Sequence, residues 1–70
     1  MSDQLKTAER LIHDSETLVA CQTRVIAELL RNGRPVVDAQ RLLKTSERTL
    51  AGLREHLEYL QRKKRAGAGI

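Results

Sequence analysis

The chain has a single cysteine, Cys21, among its 70 residues, so an intramolecular disulfide is excluded. Aromatic side chains are nearly absent: Tyr59 stands alone, and there is no Phe or Trp. Without them, a chain of this length loses its largest contributors to a core and the stacking platforms of single-strand nucleic-acid binders. Pro35 is the only proline, and the glycines concentrate at one turn and at the C-terminal tail. No apolar run approaches the roughly 18 residues of a membrane span. The opening Met-Ser-Asp-Gln is polar, with no basic flank or apolar core, so no signal peptide is expected. An unpaired cysteine fits a reducing compartment, and a cytoplasmic location is the expectation.

Sequence signatures of catalysis are equally scarce. There is no Gly-rich phosphate loop, nucleophile elbow, paired-cysteine motif or His-Glu-x-x-His. His13, Asp14 and Ser15 are the residue types of a hydrolytic triad. As neighbours on one helix, however, they point in three directions. Glu55 and Glu58 share a helix face but lack the Glu-x-x-His spacing of di-iron bundles. His13 and His56 reach a similar height if the chain folds back on itself, yet no further ligand completes a set. Cys21 lies off the apolar seam and reads as an ordinary helical residue. The sequence therefore predicts no enzyme, no cofactor and no metal.

What remains is helix. Leu, Ala, Glu, Arg, Gln and Lys dominate, the residues with the best helix propensity. Leu5, Ala8, Ile12, Ser15, Val19, Gln22, Ile26 and Leu29 recur in steps of three and four, the heptad seam of a packed helix. A second seam runs through Val36, Ala39, Leu43, Ser46, Leu50, Leu53, Leu57 and Leu60. Together they predict an all-α antiparallel hairpin with helices over residues 3–31 and 36–64, each about 43 Å long. Between them, Asn32-Gly33-Arg34-Pro35 supplies a glycine for a left-handed helix stop and a proline suited to the next first turn. Asp38 then falls where the helix dipole favours an anion.

In such a hairpin, facing seam residues should have numbers summing to about 68. Ala8 then meets Leu60, Ser15 meets Leu53, and Leu29 meets Ala39, small against large in each layer. Gln22 meets Ser46, giving one polar layer. That layer reads either as a register device or as a partly wet edge of the seam. A weak internal echo relates 8–12 to 39–43 and Ser15-Glu16 to Ser46-Glu47. Duplication accounts for it, and so does the similar composition of two heptad helices.

The seams do not absorb all the apolar residues. Leu11, Leu18 and Val25 repeat every seven, and Leu30 and Leu42 flank the seams as well. The apolar stripe is therefore as wide as that of a bundle helix. Leaving such side chains wet forfeits about 1.5–3 kcal/mol each, against a small net stability. The sequence thus predicts a single domain over 1–65, dimerising through Leu11, Leu18, Val25, Leu30 and Leu42 into a four-helix bundle. Residues 66–70 are expected to form a disordered tail. A different helical partner, or a monomer whose flanks merely shield its edges, are the alternatives.

Charge is unevenly placed. Residues 1–31 sum to −1 and residues 34–65 to +5, and Arg62-Lys63-Lys64-Arg65 carries most of the excess. Arg34, Arg41, Arg48 and Arg62 lie on one row opposite the seam, interrupted by Glu55. A line of cations is the minimum that phosphate binding needs. A solvated face and basic residues at a helix C-terminus explain the same pattern. The leading expectation is a non-enzymatic protein–protein interaction or assembly module. A nucleic-acid-binding regulator using Arg34, Arg41, Arg48, Arg62, Lys63, Lys64 and Arg65 is the alternative.

Ala8-Glu9-Arg10, Leu29-Leu30, Gly33 and Asp38-Ala39-Gln40-Arg41-Leu42-Leu43, followed by Leu50, Leu53 and His56, resemble a group of short uncharacterised bacterial helical-hairpin proteins. The likeness spans residues 8–60. It implies the hairpin fold and brings no activity, cofactor or site residue with it.

Overall fold

A computed structural model of the chain describes residues 3–68 as two helices, α1 over Asp3–Arg31 and α2 over Val37–Ala68. The molecule measures 59 × 14 × 12 Å. One unbroken helix of this length would run about 100 Å. The helices therefore lie side by side, α2 folded back along α1.

The reversal is made by backbone hydrogen bonds at the end of α1. Arg34 N–H donates to Leu29 O at 2.8 Å and Gly33 N–H to Leu30 O at 3.1 Å, the paired bonds of a Schellman stop. Gly33 sits at φ +68°, in the left-handed region that the motif requires. Pro35 follows, with no N–H to extend the helix. Gln40 N–H donates to Val36 O at 2.8 Å, so the hydrogen bonding of α2 begins at Val36, although the helix proper starts at Val37.

Burial follows the two heptad seams. Among the described side chains, those that are buried or half-buried are Leu5, Ala8, Ile12, Ser15, Val19, Gln22, Ile26 and Leu29 on α1. On α2 they are Val36, Ala39, Leu43, Ser46, Leu50, Leu53, Leu57 and Leu60. Every other described position is exposed. Ala8 and Leu60 line one groove, as the facing register requires. Arg54 Nη2 donates to Glu16 Oε2 at 3.0 Å across the helix pair, beside the Ser15–Leu53 level. The expected polar layer is present as two half-buried residues, Gln22 and Ser46, and the Oε1 of Gln22 is buried without a hydrogen-bond partner.

The core is thin. Among the described residues only Ala8, Ile26 and Leu50 are buried, and no side chain is wholly removed from solvent. The radius of gyration is 16.5 Å, whereas a compact domain of 70 residues would have about 11 Å.

The C-terminus differs from expectation. α2 runs to Ala68, past the expected end at 64, so 66–68 of the expected tail are helical, and residues 69–70 lie outside the described residues. Arg62 through Arg65 are good helix formers, alanine is the best, and nothing like Pro35 stops the turn. Cations in the last turns also suit the dipole.

Two substitutions separate the turn from the ion pair. A Cβ at Gly33 would meet nothing within 4 Å, so Gly33→Ala acts through backbone strain alone. Thermal or urea unfolding should show a loss of about 1 kcal/mol for Gly33→Ala. Glu16→Gln should lose no more than about 0.5 kcal/mol, because Glu16 and Arg54 are half-exposed. Equal losses would contradict this ranking.

Candidate association surface

A hairpin of heptad helices has two broad sides, and they differ in chemistry here. The Glu16–Arg54 pair marks one. Its rows, every seventh residue, are Glu9, Glu16, Thr23 and Leu30 on α1 and Gln40, Glu47, Arg54 and Gln61 on α2. The opposite side carries Gln4, Leu11, Leu18 and Val25 on α1 and Leu42, Thr49, His56 and Lys63 on α2. Leu11, Thr7, His56 and Tyr59 line one shallow groove there. His56 and Tyr59 stack with ring centroids 6.4 Å apart.

This second side is apolar and open. Leu11, Leu18, Val25 and Leu42 are 45, 50, 47 and 57 % exposed. The threonines on it add to its apolar character. Thr45 Oγ1 donates to Arg41 O at 3.2 Å and Thr49 Oγ1 to Thr45 O at 3.1 Å. Their hydroxyls are satisfied by their own helix, which leaves the methyl groups as outer surface. Gly52, beside them in mid-helix, has open space where a Cβ would stand.

Of the five side chains expected to form one apolar interface, the structure brings four to one side. Leu30 falls in the row of Glu16, on the ionic side, where the exposed Val37 also lies. Heptad counting separates Leu30 from Leu11, whereas grouping by hydrophobicity does not. Val37, Tyr59 and Gly52 went unmarked in the sequence: the first two are isolated apolar positions, and a lone glycine in a helix carries no signal of what approaches it.

The total accessible surface is 5874 Å². A compact protein of 7.9 kDa would expose about 4,400 Å². The excess, about 1,500 Å², exceeds the roughly 800 Å² per partner of a standard interface.

Arg34, Arg41, Arg48 and Arg62 occupy a third surface, and Lys63, Lys64 and Arg65 fan around the end of α2. Arg34, Arg41, Arg48, Arg62, Lys63, Lys64 and Arg65 are all exposed along the outer edge and end of α2. Asp38 approaches Arg41 at 3.9 Å, a long and nearly fully solvated pair. The helix carries 62–65 as a regular surface.

His13 and His56 are exposed on opposite sides of the hairpin, so the fold does not bring them together. Cys21 is exposed and free. Among the described residues, no group of three or more His, Cys, Asp or Glu is placed to hold a metal ion. No helix among them is long and apolar enough to cross a membrane. Protein-family models, curated proteins and solved structures were all compared with this chain, and none matches it.

Proposed function

We propose that the chain is a non-enzymatic helical interaction module that pairs with a second copy of itself, apolar side to apolar side, as a four-helix bundle. The observation that carries this reading is the exposed line Leu11, Leu18, Val25 with Leu42 beside it. Covering a half-exposed leucine gains about half of the 1.5–3 kcal/mol of full burial. Summed over both copies, that gain is comparable to the whole stability of a small domain. Association through this side also supplies the staple that a chain of this size otherwise lacks.

A second copy is favoured over a different helix by the make-up of the side itself. At its middle it carries Leu18 on α1 against Thr49 and Gly52 on α2, so that level is complementary to its own two-fold image. The opposing term is charge, +4 on each copy. Most of it sits at the end and outer edge of α2, with Lys63 alone at the end of an apolar row, and salt screens it within about 8 Å.

A second reading rests on the surface of α2. The helix continues through Arg62-Lys63-Lys64-Arg65, so Arg62 extends the row of Arg34, Arg41 and Arg48 along one edge, and Lys63, Lys64 and Arg65 fan around its end. Such an edge fits the phosphate backbone of a nucleic acid, without base recognition.

For a dimer, the melting temperature rises with protein concentration. Leu18→Glu should abolish that dependence and lower the melting temperature. Leu30→Glu, on the ionic side, should leave it intact. Identical effects of the two substitutions would contradict the assignment of the interface. For the second reading, a mobility-shift assay with RNA and duplex DNA should show binding that weakens with salt. That binding should be lost when Arg62, Lys63, Lys64 and Arg65 are changed to glutamate. Absence of binding at low salt would eliminate it.

A further inference from the structure

Two hairpins can stack on their apolar sides in two ways. A two-fold axis along the bundle sets both turns at one end and lays α1 of each copy over α2 of the other. An axis across the bundle sets the turns at opposite ends and lays α1 over α1. We infer that the first arrangement is the one formed, with Leu18 of each copy seated in a hollow around Gly52 of the other. This inference rests on the self-association proposed above and specifies its geometry.

Shape carries the choice. Along α1 the exposed apolar residues are all large: Leu11, Leu18 and Val25, one every two turns. Along α2, the same level as Leu18 is occupied by Thr49 and Gly52. The Thr49 hydroxyl is tied back to its own helix, and nothing lies within 4 Å of a Cβ built on Gly52. Thr49, Gly52, Leu53 and His56 have the spacing of the four-residue hole that accepts a knob from a neighbouring helix. Leu18 of the partner reaches that hole when the turns share an end. Under the same operation the Val25 of each copy meets the level of Leu42 and Thr45, and Leu11 meets His56 and Tyr59. One register then seats Leu18 in the hollow at Gly52 and sets Val25 and Leu11 against apolar side chains of the partner's α2.

The crossed arrangement sets Leu18 on Leu18 along one edge and Thr49 with Gly52 on their own copies along the other. At that level one edge is overfilled and the other left hollow, and both departures from even packing are destabilising. A glycine in mid-helix also weakens the helix relative to alanine. At Gly52 nothing within the hairpin requires it, because the space above it is open. Close approach of a partner helix supplies a reason for it.

Two consequences follow. Both Gln22 residues come to one level inside the bundle with both Ser46 hydroxyls, so the amide oxygen that lacks a partner in one chain gains donors within reach. The two basic runs at 62–65 come to the same end. They sit on diagonal helices about 14 Å apart, beyond the roughly 8 Å screening length at physiological salt, so their repulsion is the smaller effect.

The test places a spin label at one turn in each copy, as Arg34→Cys in a Cys21→Ser background, with pulsed dipolar spectroscopy on the dimer. Shared-end packing gives a single distance within about 25 Å. A distance of about 48 Å would overturn the arrangement while leaving self-association standing. A monomer in sedimentation of the same labelled sample would overturn both. A second measurement uses Gly52. Gly52→Leu fills the hollow and should raise the dimer dissociation constant about tenfold or more. Gly52→Ala that tightens or leaves unchanged the dissociation constant, while raising the melting temperature, would show Gly52 to be plain surface and overturn the packing.

Discussion

Two helices lying side by side can cover only one stripe of each other, and the structure of this chain follows from that geometric limit. The heptad seams fill the shared face, with the Glu16–Arg54 pair bridging the helices at its edge. A third helix would have closed the core. With two, the layer between them is one side chain deep and open along both edges. Hence only Ala8, Ile26 and Leu50 are buried among the described residues, and the surface stays about a third larger than that of a compact protein of the same mass.

Within that limit the hairpin is well determined. The Schellman bonds at Leu29 and Leu30 and the positive φ of Gly33 end α1 at one residue, and Pro35 prevents continuation. Once the turn is fixed, the register of every facing pair follows. The Glu16–Arg54 pair lies across that register and adds little energy to it. Specificity is therefore concentrated in the turn, and stability is spread thinly along the seam. The two sides of the hairpin are left with different chemistry: an ionic side that water can solvate, and an apolar side that it solvates poorly. Self-assembly is the reading that resolves this asymmetry without adding any residue to the chain.

Most of the fold was legible in the sequence because heptad periodicity and turn chemistry are local signals. The alternation from Leu5 to Leu29 and from Val36 to Leu60 marks every described side chain that is buried or half-buried. Asn32 through Pro35 marks the reversal. The end of α2 was less legible, because Ala66-Gly67-Ala68 carries neither a seam residue nor a stop, and the boundary depends on fraying. The exposed apolar row was legible as a row, through Leu11, Leu18 and Val25. Leu30 was grouped with it by hydrophobicity, although its heptad position puts it on the ionic side. The hollow at Gly52 could not be read at all. A glycine reports an absence of side chain, and only the fold shows which surface that absence shapes. The basic edge of α2 was legible as charge, but charge alone does not select a ligand.

The central claim is that this hairpin does not persist alone. Sedimentation equilibrium at micromolar concentration, with helicity followed on the same sample, addresses it most directly. The account predicts a helical species of twice the 7.9 kDa chain mass, losing helicity as dilution drives it apart. A helical species of single-chain mass, unchanged on dilution, would contradict it.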